Sequence, residues 1–195
     1  PPQADELPGL SWLAYGSSIT NSSLDGYPSV AARRLGVDVM NKGLSGACHC
    51  EPELADWLAS GCAWDFATLE LGVNMRGMTP DQFGTRASYL VRQVVAMNPG
   101  KPVFLITIFP NCLTEGIART ERICANDLAF NGILRGLVAE IESPDLHLVE
   151  GDQILDQFTG LRTDLLHPTP YGHAVMGLNL AEILRPVLVA KGLLN

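Results

Sequence analysis

Four separate stretches of the 195-residue chain carry side chains that together could perform acyl transfer. They are Gly16-Ser17-Ser18-Ile19-Thr20, Asn41-Lys42-Gly43-Leu44-Ser45-Gly46, Gly72-Val73-Asn74-Met75-Arg76-Gly77 and Asp164-Leu165-Leu166-His167-Pro168. A serine hydroxyl is a weak nucleophile until a base takes its proton, and His167 can be that base for Ser18. Asp164 stands three residues earlier, so one turn of backbone lets its carboxylate reach the imidazole Nδ1. There it would fix the tautomer and stabilise the imidazolium. The oxyanion formed on attack needs donors. The backbone N–H of Ser18 at a helix start, the N–H of Gly43 and the side-chain amide of Asn74 can supply three. Glycine at 43 suits a backbone that approaches a substrate, because any side chain would crowd it.

Each signal also has a plain structural reading. Glycine, serine and asparagine crowd turns anyway. Asp164 could be a turn acid, and His167 a surface imidazole beside a proline. The order of the four segments and their place at predicted strand ends carry the functional reading. Apolar runs predict strands over residues 10–15, 37–40, 66–71, 103–109 and 146–149. Helices are expected over residues 27–35, with Gly36 as the stop, and over 52–59, closed by Gly61. Thr79-Pro80 starts another, with Phe83, Ala87, Leu90, Val91, Val94 and Val95 at helical spacing, ending near Pro99-Gly100. A long helix is expected over 119–141, and a last one from Thr169-Pro170 to about 190, kinked or shortened by Pro186. Such alternation implies an α/β fold, a three-layer α/β/α sandwich on a five-stranded parallel, flavodoxin-like sheet. Ligands bind such sheets at the carboxyl ends of the strands.

In this order the segments resemble the SGNH (GDSL-like) hydrolase family of serine esterases, lipases and acylhydrolases. Tyr15-Gly16-Ser17-Ser18-Ile19-Thr20 resembles its first block, with Ser18 in the nucleophile position. Gly43 and Asn74 stand where the family's second and third blocks supply oxyanion donors, and Asp164-x-x-His167 resembles the last block, followed by Gly172-His173. The resemblance spans residues 11 to about 185. It implies a metal-independent serine esterase that cleaves carboxylic, short-acyl esters through an acyl-enzyme, carbohydrate acetates among them. Two positions depart from the usual pattern: Ser17 where an Asp commonly precedes the nucleophile, and Met75 where an Asp often follows the asparagine. Two other readings stay open: an acyltransferase using the same triad, and a non-catalytic ligand-binding module on the same fold. A Gly-x-Ser-x-Gly elbow would point to a different hydrolase fold, but position 20 is Thr.

By position, Met75, Arg76 and Tyr171 are candidate substrate contacts, and residues 110–118 a lid or pocket wall. Trp57 and Trp64 are expected in the core or along a groove edge. Cys48-His49-Cys50 lacks the spacing and the second pair of a zinc site, so no metal is expected and the loop is read as a pocket wall. His173 reads as structural and His147 as a satisfied edge residue. No Walker A or Gly-x-Gly-x-x-Gly occurs, so no cofactor is expected.

Length predicts one domain over residues 10–195, preceded by a tail or linker at 1–9. A chain of this size should bury roughly 70% of its unfolded surface. With 47% hydrophobic and 17% charged residues, the composition argues against disorder. A formal charge of −8 without a basic stripe argues against nucleic acid as partner, leaving a small-molecule or carbohydrate ester. No uninterrupted apolar run approaches the ~18 residues of a membrane span. The opening residues show no signal peptide, and the compartment stays open, as do the oligomeric state and any preceding domain. Five cysteines are not a disulfide framework, though one or two bridges would fit an exported protein.

Overall fold

The computed structural model describes residues 9–115, 117 and 121–195. The expected tail at 1–9 therefore lies, except for Gly9, outside the described residues, as do parts of the 110–118 segment. Among these residues five strands and six α-helices follow in the order β1 Ser11–Gly16, α1 Tyr27–Leu35, β2 Asp38–Gly43, α2 Pro52–Ser60, β3 Phe66–Glu70, α3 Pro80–Met97, β4 Val103–Ile106, α4 Glu121–Ile141, β5 Leu146–Val149, α5 Gly151–Ile154 and α6 Pro170–Ala190. All strand pairs are parallel, in the order β2-β1-β3-β4-β5. This is the flavodoxin-like order, whose switch point lies between β1 and β3.

Local chemistry fixes the helix ends. Gly36 closes α1 in the left-handed region, at φ 75°. Thr79 and Gln82 cap α3 reciprocally, and the Thr169 hydroxyl accepts the Gly172 N–H at the start of α6. Alternate residues of β1 face opposite layers. Leu13 and Tyr15 join the cluster with Phe83, Leu90 and Phe130, whereas Trp12 and Ala14 join the cluster with Tyr27, Leu180 and Leu184.

Several details differ from expectation. β2 runs on through Gly43, because β1 offers ladder partners up to Gly16 opposite Gly43. Asn41 to Gly43 thus end the strand rather than follow it. β4 stops at Ile106 because β3 and β5 end beside it, and the Ile108 N–H turns to the Asn131 side chain at 2.9 Å. Pro186 does not shorten α6; it sits on an exposed face, where water can take the unpaired carbonyl one turn back. The helix is long and apolar enough to cross a membrane. Here its Met176, Leu180, Leu184 and Leu188 are buried in the core. His147 is not satisfied: its Nε2 is buried without a hydrogen-bond partner. Trp64 is buried, while Trp57 is half exposed beneath the Lys42 ammonium. Cys48, Cys50, Cys62 and Cys112 are free thiols; the Cys124 side chain lies outside the described residues.

Candidate active site

The chain leaves β1 in a turn over residues 17–21, closed by the Asn21 N–H donating to the Ser17 carbonyl at 2.9 Å. Ser18 is therefore not at a helix start, since α1 begins only at Tyr27. The Ser18 N–H still has no protein partner among the described residues, which leaves it free to serve as a donor.

Ser18 Oγ lies 2.9 Å from His167 Nε2, across 149 residues of sequence. His167 Nδ1 lies 2.8 Å from Asp164 Oδ2. The other carboxylate oxygen accepts the N–H groups of Leu166 and His167 at 3.0 and 2.9 Å. This local turn, with Leu165 in the left-handed region at φ 52°, explains why a spacing of three suffices. Partial burial pushes the Asp164 carboxyl up. The two N–H bonds and the imidazole outweigh it and hold the group below the ordinary carboxylate range. The segment is pinned by the Arg162 N–H to the His167 carbonyl at 2.8 Å, and by Arg162 Nε to the Pro168 carbonyl at 3.0 Å.

Asn74 follows β3 in a short 3-10 turn, Val73–Met75. Its Oδ1 accepts the Cys48 N–H at 3.3 Å, and its Nδ2 meets no protein acceptor among the described residues. The Cys48 loop thus orients this amide. Gly43 also serves the packing of the site. Its N–H already donates to Asn41 Oδ1 at 2.9 Å, so donation to a substrate must share or exchange that bond. A Cβ at Gly43 would lie 2.2 Å from the Asn21 nitrogen. The glycine is therefore needed for contact with the Ser18 turn, and Asn41 Nδ2 adds a 2.7 Å bond to the Thr20 carbonyl.

The three expected substrate contacts fall elsewhere. Met75 is buried in the core, packed where an apolar side chain is best placed. Arg76 is neither a surface charge nor a free guanidinium: Nε and NH2 grip the fully buried Asp127 carboxylate at 2.7 and 2.5 Å. Tyr171 is exposed and donates to Gln157 Oε1 at 3.2 Å. None of them lines the cavity of about 340 Å³ beside Ser18 and His167, whose polar wall includes Ser22, Ser23, Asp25 and Arg162. Among the described residues, no group of three metal-ligating side chains is gathered, at Cys48-His49-Cys50 or elsewhere. His173 is structural. Its Nδ1 accepts the Tyr27 N–H at 3.3 Å, and burial, helped by the charges of Arg162 and His167, pushes it down to about 4.

Two residues escaped sequence reasoning. Asn41 joins the Ser18 turn to Gly43, as above. Glu70 ends β3 beneath that turn and is only 1% exposed. Its Oε2 accepts the Ser17 N–H at 2.7 Å and the Thr20 hydroxyl at 3.1 Å, while Oε1 is buried without a partner. Burial pushes this carboxyl up to about 6, against the hydrogen bonds from Ser17 and Thr20 and the charge of Arg76. The available signal was a carboxylate inside an otherwise uncharged buried strand, where a charge is costly unless it has a task.

Solved structures share this architecture. A candidate GDSL-like lipase from Bacteroides ovatus superposes with a TM-score of 0.76 at 21% identity, covering 95% of this chain and 54% of its own. A salicylyl-acyltransferase from a tetracycline biosynthetic pathway gives 0.75 at 16%, covering 93% and 56%. The present chain therefore spans little more than half the length of these two. A carbohydrate acetylesterase family member from Sinorhizobium meliloti gives 0.66 at 19%, covering 92% of this chain and all of its own. At such identities the likeness speaks to the fold. No curated protein matches the chain. The match that reaches beyond fold is to a family: the model of the GDSL-like lipase/acylhydrolase family aligns with residues 14–175, and the chain belongs to that family.

Proposed function

We propose that the chain is a serine esterase that cleaves short-acyl carboxylic esters through an acyl-enzyme, with Ser18 as nucleophile. One observation carries this reading: the unbroken line of contacts from Ser18 Oγ to His167 Nε2, at 2.9 Å, and from His167 Nδ1 to Asp164 Oδ2, at 2.8 Å. His167 takes the Ser18 proton as the Oγ–carbon bond forms. The carbonyl oxygen becomes an oxyanion facing the free Ser18 N–H and Asn74 Nδ2, with the Gly43 N–H as third donor. When the intermediate collapses, the carbon–alcohol bond breaks and the protonated imidazole gives its proton to the leaving alcohol. Water, deprotonated by His167, then attacks the acyl-enzyme; the acyl–Oγ bond breaks, the imidazolium returns its proton to Ser18 Oγ and the acid is released. Asp164 orients the imidazole throughout.

The small cavity beside Ser18 supports a compact ester over a long aliphatic one, with Ser22, Ser23, Asp25 and Arg162 as polar groups beside the apolar Ile19 and Pro170. A carbohydrate acetate fits that chemistry and agrees with the name of one structural neighbour. The test combines a fluorophosphonate probe with p-nitrophenyl acetate. The wild type should be labelled at Ser18 and turn over, and Ser18→Ala should lose both. Turnover by Ser18→Ala at the wild-type rate would overturn the mechanism, and absence of labelling in the wild type would favour a binding module. Product analysis with added alcohols separates hydrolysis from acyl transfer.

A further inference from the structure

We propose that Glu70 is the positioning residue of the nucleophile turn, its Oε2 holding residues 17–20 so that Ser18 Oγ stays against His167 and the Ser18 N–H stays free for the oxyanion. The inference rests on Ser18 being the nucleophile.

The geometry is specific. Ser18 lies between two residues tied to the same oxygen: the Ser17 N–H reaches Glu70 Oε2 at 2.7 Å and the Thr20 hydroxyl at 3.1 Å. Thr20 Oγ1 is in turn 2.7 Å from the Tyr27 hydroxyl, which links the turn to α1. The approach is so close that residue 16 must be glycine. A Cβ there would lie 2.3 Å from Thr20 Oγ1 and 2.6 Å from Glu70 Oε2. The segment is no regular helix or strand, so its shape depends on such anchors rather than on a repeating ladder.

Folding alone does not account for the carboxyl. Glu70 is flanked by Leu69 and Leu71, both fully buried, and its second oxygen is buried with no partner. An unsatisfied buried oxygen is a cost that well-packed apolar residues avoid. Such departures from local preference gather at functional sites. An oxygen acceptor is what the site requires. A proton placed on the partnerless Oε1 would leave Oε2 accepting from the same two donors, so either charge state can hold the turn.

Three variants test this, each assayed with p-nitrophenyl acetate, by the rate of fluorophosphonate labelling, and by thermal unfolding. Glu70→Ala removes the acceptor. Its kcat and labelling rate should fall together, on the order of 10- to 100-fold with little change in KM, because small misplacements of a reacting group are costly. Glu70→Gln keeps a carbonyl oxygen for both donors and should recover most of the lost kcat. Thr20→Val keeps the shape but removes one donor, and should lower kcat by a smaller factor at similar KM. It decides the matter if Glu70→Ala fails to fold. Wild-type kcat in a folded Glu70→Ala or in Thr20→Val would overturn the inference alone. So would a Glu70→Gln enzyme as impaired as Glu70→Ala, which would assign the effect to charge. A wild type that is neither labelled nor active would overturn the serine-esterase reading together with this one.

Discussion

Replacing Glu70 by Gln should change how stability depends on pH, by an amount the burial of this group sets. Its carboxyl is pushed from the usual 4.5 up to about 6 in the folded protein. Between those values the native state holds a proton that the unfolded chain has released. Stability from this group is therefore complete below about pH 4.5 and is lost as pH rises through 6. At 1.36 kcal/mol for each pH unit, that gap is worth about 2 kcal/mol. The variant carries no titrating group at this position. Its amide nitrogen would replace the partnerless oxygen and add a constant cost of about 1–3 kcal/mol, equal at every pH. His173 titrates in part of the same window with opposite sign, but it is present in both proteins and cancels. Urea unfolding at pH 4, 5, 6 and 7.5 reads the difference directly. Relative to wild type, Glu70→Gln should gain about 2 kcal/mol between pH 4 and 7.5. A difference that stays flat, or that grows in favour of the wild type, would refute the reasoning, because Glu70 would then titrate no differently in the two states.

Other outcomes follow from the same contacts. Asn74→Ala should lower kcat on the order of 10²- to 10³-fold with KM little changed, as expected for an oxyanion donor, read by steady-state hydrolysis of p-nitrophenyl acetate. Arg76→Ala leaves the fully buried Asp127 carboxylate without its cation and should cost about 3–5 kcal/mol in urea unfolding, with KM unaffected in folded protein. His173, at about 4 against an ordinary 6.5, leaves the unfolded chain with more bound protons between those values. Its contribution is complete above pH 6.5 and falls as pH drops towards 4, by about 2 kcal/mol after allowing for residual solvent screening. His173→Gln should flatten that part of the acid-unfolding curve.

Much was legible in the sequence because it is recorded in local patterns. Apolar runs of strand length, Gly36 after α1 and the Thr79-Pro80 cap are nearest-neighbour physics, so α/β alternation and the parallel sheet could be read directly. The Asp164–His167 contact was legible too, since a three-residue turn closes it whatever else the chain does. Element ends were less so: β4 stops where its neighbours stop, which is a property of the sheet and not of its own residues. The tertiary structure alone decided what lies beneath and beside the Ser18 turn. It turned Arg76 inward to Asp127, 51 residues away, sank Met75 into the core and engaged the Gly43 N–H with Asn41. It also set Glu70 under Ser17 across 53 residues. Side-chain type fixes what a group can do, but which partner it meets, and whether water is excluded from the meeting, is settled only when distant segments pack together.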